Sequence, residues 1–231
     1  GSDIMTNNSN STLFITDVCG TLVYDDTTLG LLKQHFSQQP ERQWRLQTLR
    51  ILTANRSPFR LGIAVIERLT GKHVLKHLLV RMLKDDTVSS LELNADVYAQ
   101  WLLDNRKVPA VWNVVTPAIK DKHIILASAS LQPIVSALAK QLGVRFVASE
   151  LESSDGILTG HYKRDLTGLK LQALNDLMGN DLSSRLYDAI SDNITDQELL
   201  SGAKRAYVVL HKASHKERWA GLTATYIRLN Q

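Results

Sequence analysis

After Pro117 the chain alternates short aliphatic and β-branched runs with segments whose apolar positions recur every three or four residues. This alternation constrains the fold more than any other feature, because strand-helix-strand repetition buries its strands in a parallel sheet covered by helices. Strand candidates lie at Ile124 to Ala127, Arg145 to Ala148, Arg185 to Ala189 and Ala206 to Leu210, with helices at about 131–142, 168–178 and 195–202. Near the start, Leu13-Phe14-Ile15-Thr16 ends at Asp17 and runs into Val18-Cys19-Gly20-Thr21-Leu22, a strand followed by a small-residue turn. It belongs with the later strands. Gly156 to Tyr162 reads as a short hairpin or return strand beside the sheet.

Between that first strand and Pro117 the period is helical. Leu29, Leu32 and Phe36 recur at helical spacing, and stretches at about 42–53, 59–70, 73–84 and 94–104 are divided by Pro40, Pro58 and Gly71. The expected fold is therefore α/β: a Rossmann-like parallel sheet core built from residues 12–23 and 119–231, interrupted by an all-helical insertion, residues 24–118. A chain of 231 residues, 44% hydrophobic, has ample material for such a core and excludes a wholly disordered protein.

The one cysteine excludes an intramolecular disulfide framework, and the seven histidines show no close zinc spacing, His73 and His77 being only a helical i,i+4 pair. Apolar runs such as Ile124 to Ala127 and Val111 to Val115 fall far short of the roughly 20 residues that cross a bilayer, so no membrane insertion is expected. Gly1-Ser2 resembles the remnant of an expression tag, and Thr6 to Thr12 lacks the charged start and apolar middle of a signal peptide. A cytoplasmic protein is the resulting expectation.

The net charge of +4 has a location. Residues 24–118 hold 13 Lys+Arg against 9 Asp+Glu, whereas the remainder holds 14 of each. Such an excess suits an anionic substrate or surface, although ordinary solvated helix faces produce the same count. No nucleic-acid motif accompanies it. Trp44, Trp101 and Trp112 fall in helical patterns and read as packing residues, so no nucleic-acid partner is expected.

In a parallel sheet, side chains at the carboxyl ends of the strands converge on one crevice. Asp17, Ser128, and Asp192 with Asp196 occupy such positions, and Lys170 stands at a helix start. Two carboxylates from distant strand ends suit Mg²⁺, a hard cation that keeps several waters. Asp17 could then attack phosphorus to form an aspartyl-phosphate, with Ser128 and Lys170 binding the transferring oxygens. Turn, cap or solvated-face roles remain open for each residue taken alone.

These residues and their order resemble the motifs of the haloacid dehalogenase superfamily, particularly its phosphoserine-phosphatase-like branch. The first motif, an apolar strand with Asp-x-Asp-Gly-Thr-Leu, is similar to Phe14-Ile15-Thr16-Asp17-Val18-Cys19-Gly20-Thr21-Leu22. The second, a strand ending in Ser or Thr, corresponds to Ile124 through Ser128 and Ser130; the basic third to Lys170 in Gly168-Leu169-Lys170-Leu171; the acidic fourth to Ser191-Asp192-Asn193-Ile194-Thr195-Asp196. The resemblance implies a Mg²⁺-dependent phosphate-monoester hydrolase for a small phosphorylated molecule. Asp17 would be the nucleophile. The metal would take the Asp17 carboxylate, the Cys19 backbone carbonyl and the Asp192 carboxylate, while Asp196 supports the metal shell or orients Lys170. The insertion would be a helical cap closing over substrate.

The pattern breaks at Cys19, where family phosphatases carry the Asp that protonates the leaving alcohol and then activates water. A thiol, with a reference pKa near 8.5, can donate a proton but is a poor base for the second step. Three readings follow: a small packing residue, a weak acid/base in a residual phosphatase, or the mark of another reaction at the same nucleophile. The alternative to a hydrolase is accordingly a catalytically impaired binding or regulatory protein.

Among secondary candidates, Lys163 and Arg164 compete with Lys170 but read as solvated. Ser130 reads as a cap for the helix near Leu131, with phosphate binding as the other option. Arg56, Arg60, Arg81 and His77 are the insertion residues that could meet an anionic substrate, and Asp25 and Asp26 read as turn or capping residues.

Overall fold

Leu13, Phe14, Ile15 and Thr16 are all buried, the condition of a strand flanked on both edges and covered on both faces. This strand, β1 (Leu13–Thr16), lies between β2 (Ile124–Leu131) and β5 (Tyr187–Ser191) and is parallel to both, with Phe14 opposite Ile124 and Ile15 opposite Ala189. The computed structural model describes residues 12–54, 57–71, 73–179, 182 and 185–230. Arg56 and the amino-terminal run through Ser11 lie outside the described residues. With β3 (Arg145–Ser154), β4 (Ile157–Arg164), β6 (Arg205–Leu210) and β7 (Thr225–Arg228), the described residues form a seven-stranded sheet of order β4-β3-β2-β1-β5-β6-β7. Only the β3–β4 ladder is antiparallel. Strand order reverses at β1, which puts a crevice at its carboxyl end.

Side-chain alternation along β1 divides the core. Phe14 packs on the face that also holds Leu126 and Ile190, whereas Ile15 packs on the other with Ile125, Ala189 and Val208. Between β1 and β2 the chain forms α1 (Thr27–Ser37), α2 (Gln43–Thr53), α3 (Pro58–Thr70), α4 (Val74–Arg81), α5 (Val88–Asn105) and α6 (Pro109–Lys120). After β2 come α7 (Gln132–Leu142), α8 (Lys170–Leu177) and α9 (Gln197–Ser201). The Phe14 face is continuous with the helical insertion, whose Leu31, Leu49, Leu83 and Leu91 share one cluster with Val115 and Leu126.

Several elements differ from expectation for identifiable reasons. α5 begins at Val88, well before position 94, because Thr87 caps it by accepting the Ser90 N–H. α6 carries through Pro117, which sequence reading takes as a boundary; Val111, Val115 and Ile119 at four-residue spacing hold it against the core. β5 starts two residues late, so Asp192 follows it directly. The Gly156 signal marks the turn of the long β3–β4 hairpin, and β7 is a short edge strand with no clear period. The packing role expected of the tryptophans fails at Trp44, 60% exposed; Trp101, about half exposed, stacks on the Tyr98 ring. Trp112 does pack, donating its Nε1–H to Leu22 O at 2.9 Å.

A backbone seam ties the insertion to the sheet. Residues 85–88 bond the hairpin backbone, with Asp85 N–H donating to Leu158 O, Leu158 N–H to Asp86 O and Val88 N–H to Gly156 O. Beneath this seam, buried Asp86 meets His35 at 2.7 Å, Arg45 at 2.8 Å and Arg42 at 3.2 Å. Asn94 Nδ2–H donates to His35 Nδ1, leaving Nε2–H to donate to Asp86. Burial favours the neutral acid, but the His35 and Arg45 contacts outweigh it and hold the Asp86 carboxyl below its ordinary range.

Candidate active site

Asp17 immediately follows β1, its N–H donating to Ile190 O of β5 at 3.0 Å. The next residues curl back, with Leu22 and Val23 N–H groups donating to Val18 O. The turn needs Gly20, whose φ is +71°; a Cβ there would stand 2.2 Å from Asp192 Oδ2. A missing side chain thus makes room for a carboxylate.

The sequence-derived positions Asp17, Lys170, Asp192 and Asp196 form one network. Lys170 Nζ donates to Asp17 Oδ1 at 2.9 Å and to Asp196 Oδ2 at 2.8 Å, all three side chains being buried. Burial works against the ammonium, but the two carboxylates hold the Lys170 pKa above its ordinary value. Thr21 Oγ1 lies 3.0 Å from Asp17 Oδ2 and 3.3 Å from Asp192 Oδ1, and accepts the Asp192 N–H at 3.1 Å. Ser191 Oγ donates to Asp196 Oδ2 at 2.7 Å. Burial and the adjacent Asp17 charge push the Asp192 carboxyl up to about 8, the response of two carboxylates forced together. Burial likewise raises the Asp196 carboxyl, against the pull of Lys170.

This donor set fits Mg²⁺. Two converging carboxylates with mutual repulsion offer hard oxygens, and the missing Cβ of Gly20 leaves room for the Asp192 carboxylate. Among the described residues no group of three or more His, Cys, Asp or Glu side chains forms a metal cage. Two carboxylates would suit Mg²⁺ with its waters, in contrast to zinc.

Ser128 is buried inside β2, and its Oγ accepts the Ser130 N–H at 3.0 Å; no hydrogen bond joins it to Asp17 among the described residues. Ser130 does not cap α7, which begins at Gln132 without a side-chain cap. Instead its Oγ meets Thr27 Oγ1 at 2.6 Å and Thr28 Oγ1 at 3.0 Å, because α1 lies across the end of β2. Cys19 Sγ lies 3.0 Å from Thr27 Oγ1 and accepts the Thr27 N–H at 3.4 Å. Burial, then the charges of Asp26 and Asp17, push this thiol up to about 11.

Asp17, Cys19, Ser130 and Lys170 line a cavity of about 450 Å³ whose far wall is helical: Arg60 from α3, Leu75, Lys76 and Leu79 from α4, with Tyr162 from β4. Lys76 pairs with Asp165 and donates to Thr167 at 2.9 Å. Arg60 Nη1 is buried with no hydrogen-bond partner among the described residues. Other candidates point elsewhere. Arg81 donates to Thr159 O and meets His161, while His77 stands edge-on to Tyr162, and neither lines this cavity. Arg164 pairs with Asp176 and Lys163 is exposed, so Lys170 alone of the three reaches Asp17. Asp26 caps α1 through the Leu29 N–H, and Asp25 bonds Arg106 and Tyr98.

Sequence reading missed His211 and Thr21. His211 follows β6, a strand-end position like those of Asp17 and Asp192, and its Nε2 sits 2.8 Å from Gly20 O and 3.1 Å from Asp192 Oδ2. The strand-end rule could have found it. Thr21, within the first motif, carries the hydroxyl on which both carboxylates close.

The family model for haloacid dehalogenase-like hydrolase matches residues 14–201. No curated protein matches the chain. Among solved structures, a protein with unknown function from Bordetella pertussis Tohama I is similar with a TM-score of 0.70 at 16% identity, over 92% of this chain and 97% of that one. A phospho-aspartyl intermediate analogue of phosphoserine phosphatase gives a TM-score of 0.55 at 16% identity, over 94% and 93%. Cytosolic 5'-nucleotidase IIIB bound to cytidine gives 0.60 at 14% identity, over 93% and 79%. At such identities these likenesses speak for the fold. The family match covers most of the chain and spans Asp17, Ser128, Lys170, Asp192 and Asp196, so the chain belongs to the haloacid dehalogenase-like hydrolase family.

Proposed function

We propose that this protein is a Mg²⁺-dependent phosphate-monoester hydrolase that acts on a small phosphorylated molecule through an aspartyl-phosphate at Asp17. The observation that carries the reading is the buried Asp17–Lys170–Asp196 chain opening on a cavity, with Asp192 sharing Thr21 beside it. Asp17, the Cys19 carbonyl and Asp192 would hold the ion, which when bound supplies positive charge for the phosphate.

In the first step an Asp17 carboxylate oxygen bonds to phosphorus as the bond to the leaving oxygen breaks, and the leaving oxygen takes a proton from solvent water to depart as an alcohol. Lys170 orients Asp17 and offsets charge on the transferring oxygens. The cap, residues 24–118, contributes Arg60, whose buried unpartnered Nη1 selects a substrate bearing a second anionic group.

The second step is the vulnerable one. A thiol held near 11 stays protonated at neutral pH, so it gives water no base to lose a proton to. This favours the second reading, an impaired hydrolase that binds its ligand or stalls as phosphoenzyme. Phosphate release should be measured across phosphomonoesters with Mg²⁺ and with a chelator. The expected result is a single burst of alcohol release, slow turnover afterwards, and a gain of about 10²- to 10⁴-fold in turnover for Cys19→Asp. Asp17→Asn should abolish the burst; a burst of unchanged size in that variant would sink the nucleophile assignment. Tight ligand binding without any burst would favour the binding-protein reading.

A further inference from the structure

α3 is amphipathic in the reverse sense for a surface helix. Its inner side is narrow: Ile63 is buried, Arg60 reaches the cavity, and Glu67 Oε1 accepts the Leu75 N–H at 3.1 Å. These three recur at helical spacing, and the larger apolar side chains lie on the opposite side. Phe59 is 65% exposed and Leu69 80% exposed, with Leu61, Val65 and Ile66 each about half exposed or more. The neighbouring α2 and α4 add exposed Trp44, Ile51 and Leu78. Isolated exposed apolar residues need no explanation, but five on one face of a 13-residue helix leave a patch without a partner.

The charge of the segment that carries that patch selects the partner. From Arg42 to Lys84 the sequence holds ten Lys and Arg, and Glu67 is the sole acidic residue. Some of these cations are engaged internally, as Arg45 is with Asp86 and Lys76 with Asp165. Arg50 at the end of α2 and Arg68 on α3 are exposed. An apolar helix face carrying an exposed cation, in a segment of such one-sided charge, is the composition of a helix that lies in the interface of an anionic bilayer. Two copies of this face would instead bring like charges together, and a nucleic acid would leave the aliphatic side chains uncovered.

We propose that the outward face of α3 docks the protein peripherally on an anionic lipid bilayer, Phe59, Leu61, Val65, Ile66 and Leu69 entering the interface and the exposed Arg68 meeting lipid headgroups. This docking requires no membrane-spanning segment; among the described residues no helix is long and apolar enough to be one. It is independent of the hydrolase reading, because none of the five apolar residues lines the Asp17 cavity.

The test is co-sedimentation of the full chain with vesicles of phosphatidylglycerol mixed into phosphatidylcholine, and with phosphatidylcholine alone. Binding is expected to the mixed vesicles, falling as salt is raised, and to be at least about tenfold weaker to the neutral ones. Val65→Asp with Leu69→Asp should reduce binding to the mixed vesicles by about tenfold or more, with the circular dichroism spectrum retained. Leu69→Asn alone, at the most exposed position, carries the test if the double variant misfolds. Arg68→Glu should weaken binding while leaving the apolar face intact. Failure of the wild-type chain to sediment with the mixed vesicles would overturn the proposal, as would undiminished binding by the α3 variants. A dimer in solution that the same substitutions dissociate, without vesicle binding, would assign the face to a second copy.

Discussion

Gly20 shows how one residue can decide a site. Its positive φ turns the chain after β1, and its missing Cβ leaves the room that Asp192 Oδ2 occupies. Gly20→Ala should therefore strain the turn by roughly 1–2 kcal/mol and displace Asp192, weakening Mg²⁺ binding far more than stability. Calorimetric titration of Mg²⁺ beside a thermal melt separates the two effects; unchanged Mg²⁺ affinity would show that Asp192 needs no such space. Asp17, Lys170, Asp192 and Asp196 were legible because strand ends and motif order mark them. The partners of Ser130 were not legible, since its contacts with Thr27 and Thr28 span about 100 residues and arise only when α1 crosses β2. The same crossing decides the environment of Cys19, whose thiol rests on Thr27.

At the scale of elements, the insertion is held by ions as well as by apolar packing. Asp86 joins α1 through His35 and α2 through Arg45, whose guanidinium lies over the Phe36 ring with Nε and Nη2 buried and without hydrogen-bond partners among the described residues. Asp86→Ala would leave the Arg45 charge buried and uncompensated, a loss of about 3–5 kcal/mol. Denaturant unfolding should show that loss, and a midpoint shift below about 1 kcal/mol would mean that water replaces the carboxylate. Periodicity located α1 to α4 within a few residues because their apolar spacing is sustained. It failed at α6, where Pro117 imitates a terminus but tertiary packing of Val111, Val115 and Ile119 carries the helix onward. It also failed at β7, a short half-exposed edge strand recognised only through its pairing with β6.

For the molecule as a whole, two depressed carboxylates act at different places: Asp86 joins α1 and α2 within the insertion, and Asp165, beyond β4, fastens the insertion to the rest through Lys76 of α4. For Asp165 as for Asp86, burial opposes ionisation and is outweighed, here by Lys76 and Thr167. A carboxyl whose folded pKa lies below its unfolded value of about 3.9 contributes stability above that value and loses it as pH falls through the folded pKa. Stability should thus drop on acidification below about pH 4, and Asp86→Asn with Asp165→Asn should flatten this acid limb. Melting temperatures across the acid range test it; parallel limbs in both proteins would locate the acid sensitivity elsewhere.

The sequence alone determined that strands alternate with helices, that a helical insertion interrupts them after the first strand, and which carboxylates stand at strand ends. Those are local properties, set by side-chain period and turn chemistry. Only the tertiary structure decided that Lys170 bridges Asp17 and Asp196, that His211 closes on Gly20 and Asp192, and that α3 turns its apolar face outward. Each depends on how distant segments pack, and a helix's apolar stripe records that a partner exists without recording which surface supplies it.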